Sequence, residues 1–205
     1  MRQPYGCGAA AVGAYLYAFG GEGLSVVQPG CMTMYNMATR KMAELAKLPR
    51  TLIYCPGVAC GGLVYSLGGY DEELQTSVAG VHTYNPDIDS WVDGIALPLA
   101  VSGPAVADHM GCIYSCGGIG RGEFLTSGTL LMLDPRTRSW VSLPTMPTPV
   151  GNAHAAVVAG RMYVPGGGTR EAGRLTAQPT LQSYDLVAGR WDTGYAPMAQ
   201  ARNAL

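Results

Sequence analysis

The sequence predicts an all-β fold assembled from four copies of one antiparallel unit, and three observations lead there. The stretch Gly13-Ala14-Tyr15-Leu16-Tyr17-Ala18-Phe19-Gly20-Gly21 returns ending in Gly68-Gly69, in Gly117-Gly118 and in Gly166-Gly167, with its tyrosines at Tyr17, Tyr65, Tyr114 and Tyr163. Self-similarity at a period near 50 residues marks a stacked-unit architecture. The chain holds 29 Gly and 14 Pro but only 13% charged residues, so it is rich in turns and poor in the residues that clothe helix surfaces. Each unit also carries an aromatic or aliphatic residue followed at the seventh position by Trp91, Trp140, Trp191 or, in the first unit, Met42.

Taken in order, each unit opens on a small-residue apolar run: residues 7–12, 57–60, 103–107 and 153–159. Small side chains repeated at one position suit first strands crowded around a common axis. A glycine turn follows at Gly13, Gly61-Gly62, Gly111 or Gly160, then a Tyr-x-x-Gly-Gly strand, which makes a hairpin. After a variable polar stretch comes a third strand ending in Tyr35-Asn36, Tyr84-Asn85, Leu133-Asp134 or Tyr184-Asp185. Asn and Asp start turns, so the residue before them and the tryptophan lie on the third and fourth strands of one sheet. In the first unit residues 37–48 are helix-friendly, which puts an outer strand there in doubt. The units close at Pro49, Pro98, Pro147 and Pro197. Four strands per unit, burying their faces only against neighbouring units, is the sequence shape of β-propeller blades. The expected blades run over about 3–49, 50–98, 99–147 and 148–198, with 199–205 opening a further unit, in a single propeller region.

These coupled copies resemble the kelch repeat, and the resemblance covers essentially the whole chain. It implies that Gly20-Gly21, Gly68-Gly69, Gly117-Gly118 and Gly166-Gly167 end the second strands. It also implies that the first strand lies innermost, and that Tyr35, Tyr84 and Tyr184 pack between blades with Trp91, Trp140 and Trp191. Kelch propellers usually close with six or seven blades, so four units read as part of a six-bladed ring or as an open, incomplete arc. The closing phrase Tyr184-Asp185, Trp191, Ala196-Pro197-Met198, Arg202 is similar to the kelch domain of BTB-kelch proteins. That likeness implies a substrate-recognition module of an adaptor for a cullin-RING E3 ubiquitin ligase, reached only through a BTB domain that these residues lack. A scaffold on the actin cytoskeleton would use the same surface. A kelch-fold sugar oxidase or sialic acid epimerase is the reading from another class.

The variable stretches 22–31, 70–76, 119–126 and 169–177 and the links 50–54, 99–102, 148–152 and 199–203 are expected on one rim, where a rigid scaffold presents binding loops. Arg50, Tyr54, Tyr70, Arg121, Phe124, Asn152, Arg170, Arg174 and Arg202 are the candidate partner-binding residues. Arginine and aromatic side chains anchor interfaces, and arginine grips carboxylates through two parallel hydrogen bonds. The partner expected is a protein segment, acidic or polar. Asp71-Glu72-Glu73 on the same rim offsets part of that positive charge.

Other classes find little support. A net charge of −1, with no basic run beyond Arg40-Lys41, lacks the phosphate-neutralising surface of a nucleic-acid binder. No apolar stretch reaches the roughly 20 residues of a membrane span. The six cysteines show no CxxC pair and no zinc spacing. Cys112 and Cys116 lie about 13 Å apart along a strand and cannot bridge. They read as reduced, mostly buried small hydrophobes of a cytosolic protein. His82, His109 and His154 are the only histidines, too few for a converging copper site, and no nucleophile elbow, P-loop or HExxH is present. The expectation is a non-enzyme without metal or cofactor.

Overall fold

The computed structural model describes residues 5–21, 30–120, 125–171 and 174–203, with nothing said of the Glu171 side chain. The chain forms two compact units, Met1–Ala100 and Val101–Leu205, and no helix occurs among the described residues. In the first unit one sheet has the order β1 (Gly8–Val12), β2 (Tyr15–Phe19), β3 (Met32–Asn36), β4 (Lys41–Leu45). Next come β5 (Leu52–Ile53), β6 (Gly57–Cys60), β7 (Leu63–Leu67), β8 (Tyr70–Asp71), β9 (Thr76–Ser77), β10 (Val81–Asn85) and β11 (Ser90–Asp93). Of these, β6-β7-β10-β11 make the second four-stranded sheet and β5-β8-β9 a small one. The second unit holds β12 (Val101–Ser102), β13 (Ala105–His109), β14 (Cys112–Cys116), β15 (Ile119–Gly120), β16 (Leu130–Asp134), β17 (Ser139–Leu143), β18 (Ala156–Val158) and β19 (Arg161–Pro165). It ends with β20 (Gly168–Glu171), β21 (Arg174–Ala177), β22 (Leu181–Asp185) and β23 (Arg190–Asp192). Its four-stranded sheets are β13-β14-β16-β17 and β18-β19-β22-β23; β12-β15 and β20-β21 are short pairs.

The turns explain the repeated residues. Cys60 pairs with Leu63, His109 with Cys112 and Val158 with Arg161, leaving two-residue loops. Both central residues of each loop take positive φ: Gly61-Gly62, Met110-Gly111 and Ala159-Gly160. This matches the right-handed strand twist. The third-to-fourth strand turns reuse one device. Asn36 Oδ1 accepts from Ala38 and Thr39 N–H. Likewise Asn85 Oδ1 accepts from Asp87 N–H, Asp134 Oδ1 from Arg136 N–H, and Asp185 Oδ1 from Val187 and Ala188 N–H. Each turn ends four residues on at a positive φ, in Arg40, Asp89, Arg138 and Gly189. A short acceptor that mimics a backbone turn is what Asn and Asp supply.

Residues 37–48 correct the helix-friendly reading. Residues 37–40 are turn and Lys41–Leu45 is a full partner of β3, from Asn36↔Lys41 to Met32↔Leu45. Helix propensity is worth only tenths of a kcal/mol per residue, and cross-strand pairing that seats Leu45 and Leu48 on the core outweighs it.

Within each unit neighbouring sheets share one core. Tyr17, Phe19 and Met32 of the first sheet and Leu48 just beyond β4 pack with Val64 and Tyr84 of the second. In the second unit Cys116, Leu130 and Met146 pack with Met162, Val164 and Tyr184. Two of the tryptophans clasp the preceding sheet of their own unit: Trp91 Nε1 donates to Ala46 O at 2.9 Å and Trp191 Nε1 to Pro144 O at 2.7 Å. Trp91 also packs at a tilt against Tyr84 and edge-to-face against Phe19, with centroids 5.2 and 5.3 Å apart. Where β1 passes β6, a Cβ on Gly57 would come within 2.6 Å of Ala9 O, so the small residues of the first strands answer a crowded crossing.

Candidate functional site

Antiparallel order places the end of each second strand, the start of the third, the end of the fourth and the following link at one end of every sheet. That end is stitched by the double glycines, all of which take positive φ. Gly21 N–H donates to Leu52 O at 2.8 Å, Gly118 N–H to Val150 O at 2.9 Å and Gly167 N–H to Arg202 O at 2.9 Å. The links join one another as well: Tyr54 N–H bonds Gly6 O and Asn152 N–H bonds Gly103 O, each donor in the left-handed region. Backbone thus holds the rim, and its side chains are left to vary.

In the first unit the small sheet gathers Arg50, Tyr54 and Tyr70. Ile53 pairs with Tyr70 and Leu52 with Asp71. Arg50 Nη1 donates to Asp71 Oδ2 at 2.9 Å, joining a half-exposed guanidinium to a carboxylate only 2% exposed. Burial raises the Asp71 pKa, but hydrogen bonds from Leu74 N–H, Arg50 and Glu73 N–H more than offset this and hold it below the ordinary 3.8. Asp71 is therefore the counter-ion of Arg50, while Glu73 beside it is exposed. The Tyr54 ring lies 6.1 Å from that of Tyr5, and Tyr70 Oη donates to Gln75 Oε1 at 3.3 Å.

In the second unit Arg170 and Arg174 lie on the β20–β21 hairpin, which is tied down by the Gly151↔Gly168 pair and by Arg170 N–H donating to Thr126 Oγ1. Arg174 and Arg202 are exposed and Arg170 is half-buried. Arg202 bonds Gln200 Oε1 at 3.0 Å, and its backbone bridges to Gln178. Asn152 is half-buried, with its side chain over Gly103. Arg121 and Phe124 lie outside the described residues.

A cavity of about 350 Å³ in the first unit lies at the same end of the sheet. Its walls include Arg50, Leu74, Val78, Val81, His82 and Asp93. His82 is 5% exposed, and its Nδ1 lies 3.1 Å from Asp93 Oδ1. Burial lowers its pKa below the usual 6.5, against the pull of Asp93 and with help from Arg50. The imidazole is then neutral near pH 7, with Nδ1–H on Asp93 and a bare Nε2. Sequence reasoning placed His82 on the third strand but missed this pairing. The signal was available: Tyr84 pairs with Trp91, and two residues outward on each strand His82 faces Asp93. His109 ends β13, and His154 is exposed just before β18. Among the described residues no three His, Cys, Asp or Glu side chains group to hold a metal, and no helix is long and apolar enough to cross a membrane.

No protein-family model matches the chain. It is 26% identical to Kelch-like protein terF of Aspergillus terreus over 213 residues, covering 96% of this chain and 46% of that protein. It is 30% identical to human Kelch-like protein 23 over 159 residues, covering 77% of this chain and 28% of that protein. The chain thus spans less than half the length of these relatives. Among solved structures, YjhT superposes with a TM-score of 0.81 at 18% identity, over 98% of this chain and 68% of that one.

Proposed function

We propose that this chain, a kelch-repeat β-propeller domain, is a protein-interaction module whose rim captures an acidic or polar segment of a partner protein. The observation that carries the reading is the pair of exposed guanidiniums, Arg174 and Arg202, on backbone that is itself latched to the scaffold. Such anchors lose little backbone freedom on binding and pair with carboxylates. Arg50 contributes less to this attraction, because Asp71 already neutralises it. The finer proposal is the client-recognition part of a BTB-kelch adaptor for a cullin-RING ubiquitin ligase, acting in the cytoplasm.

Affinity purification of the full-length protein from cells, followed by mass spectrometry, is expected to recover a cullin together with one dominant client. Recovery of actin and no cullin would replace the ligase reading with a cytoskeletal one. Changing Arg174 and Arg202 together to Ala is expected to weaken client binding several-fold or more, since each hydrogen bond to a charged group is worth about 1.5–3 kcal/mol. Val187→Ala, at an exposed turn of the opposite end, should leave affinity unchanged.

A further inference from the structure

The cavity in the first unit ties its polar groups to partners of their own and offers an occupant apolar surface. Leu74, Val78, Val81 and Ala96 line it, with Gly80 and Gly94 between them. Of the polar groups in its walls, Arg50 is paired with Asp71, and His82 is buried behind Asp93 with Nδ1 3.1 Å from Oδ1. Leu74 is 57% exposed, yet its backbone is held in place. Asp71 Oδ1 accepts from Glu73 and Leu74 N–H, Gln75 Nε2 donates to Glu72 O at 2.7 Å, and Gln75 takes a φ of +52°. A large apolar side chain fixed in water beside an apolar hollow marks a contact surface.

Charge narrows the occupant further. Asp93 keeps its charge, because the imidazole it bonds is neutral near pH 7, and its side chain is 89% exposed. Glu73, next to Leu74, is exposed as well. Arg50 does little to offset them, since Asp71 already meets its charge. The mouth is therefore negative over an apolar floor. A carboxylate is repelled there, and a charge pushed into the hollow would lose water without gaining a partner. We propose that the cavity is a subsite for an aliphatic side chain of leucine size whose neighbours in the partner's sequence are lysine or arginine. The alkyl group packs on Leu74 and Val78, and the cations stay in water beside Asp93 and Glu73. The site draws the opposite sign from Arg174 and Arg202 in the second unit, and it rests on the interaction reading only for the source of the side chain.

The test titrates the 205-residue chain with acetyl-Lys-Leu-Lys-amide, acetyl-Lys-Ser-Lys-amide and acetyl-Glu-Leu-Glu-amide, following the Leu74 and Val78 methyl groups by NMR. The Lys-Leu-Lys probe is expected to give saturable shifts. The serine probe should bind about 10-fold more weakly for want of the buried alkyl group. The glutamate probe should bind several-fold more weakly, a gap that closes in about 1 M salt. Leu74→Ser, at a surface position, should lose the binding with the other methyl resonances in place, and Asp93→Asn should narrow the gap between the lysine and glutamate probes. No saturable shift, equal binding of the leucine and serine probes, equal binding of the lysine and glutamate probes at low salt, or undiminished binding by the Leu74→Ser protein would each overturn the proposal. A protein that binds Lys-Leu-Lys and retains no client upholds the subsite and sinks the interaction reading. One that retains a client through Arg174 and Arg202 and ignores the probe does the reverse.

Discussion

Gly111 and Gly117 both take positive φ, yet they carry different weights. At Gly111, with φ of +79°, a Cβ would meet nothing within 4 Å. At Gly117, with φ of +71°, it would run into Val150 O, the carbonyl that Gly118 N–H bonds. Gly111→Ala should cost about 1 kcal/mol, the ordinary penalty for the left-handed region. Gly117→Ala should cost at least twice that, because the strand end and the link must also move apart. Urea midpoints of the two variants check the ordering. Trp91 adds one donated proton to its ring packing: Trp91→Phe keeps an aromatic ring against Tyr84 but removes the donor to Ala46 O. A loss of about 1 kcal/mol is expected in the same assay.

At the scale of elements, the β5–β8–β9 sheet depends on one ionised carboxylate. Asp71 accepts from Glu73 and Leu74 N–H and from Arg50, and its pKa lies below 3.8. The folded state therefore favours the charged form. Its contribution is complete above pH 3.8 and is lost as pH falls through the lower folded value. Asp71→Asn should flatten that acid limb of the stability curve, which thermal melts between pH 2 and 5 would read. His82 works in the same sense at higher pH: its lowered pKa favours neutrality, so its contribution is present above 6.5 and fades as pH falls. Much of this level was legible in the chain. The Gly-Gly ends of the second strands followed from the resemblance to the kelch repeat, and the Asn or Asp turns from local backbone chemistry. The strand Lys41–Leu45 did not, because its helix-friendly residues give way to pairing with a strand formed nearby. Nor did the buried Leu48, Leu97 and Met146, each just before a closing proline. Only the prolines stood out in the sequence, and what Leu48 and Met146 pack against comes from distant strands.

For the molecule as a whole, the repeat carried the fold, and the rim carried less. Arg174 and Arg202 stand exposed as their loops imply, whereas Arg50 is tied to Asp71 by a contact 21 residues apart that no local pattern reveals. His82 and Asp93 become neighbours only once strand register is known. The central claim is that partners bind at the link and double-glycine end of the sheets. Hydrogen–deuterium exchange of the full-length protein, with and without its recovered client, tests this most directly. The account predicts slowed exchange in residues 50–54 and 168–177. Protection confined to the opposite turns, residues 37–40, 86–89, 135–138 and 186–189, would contradict it.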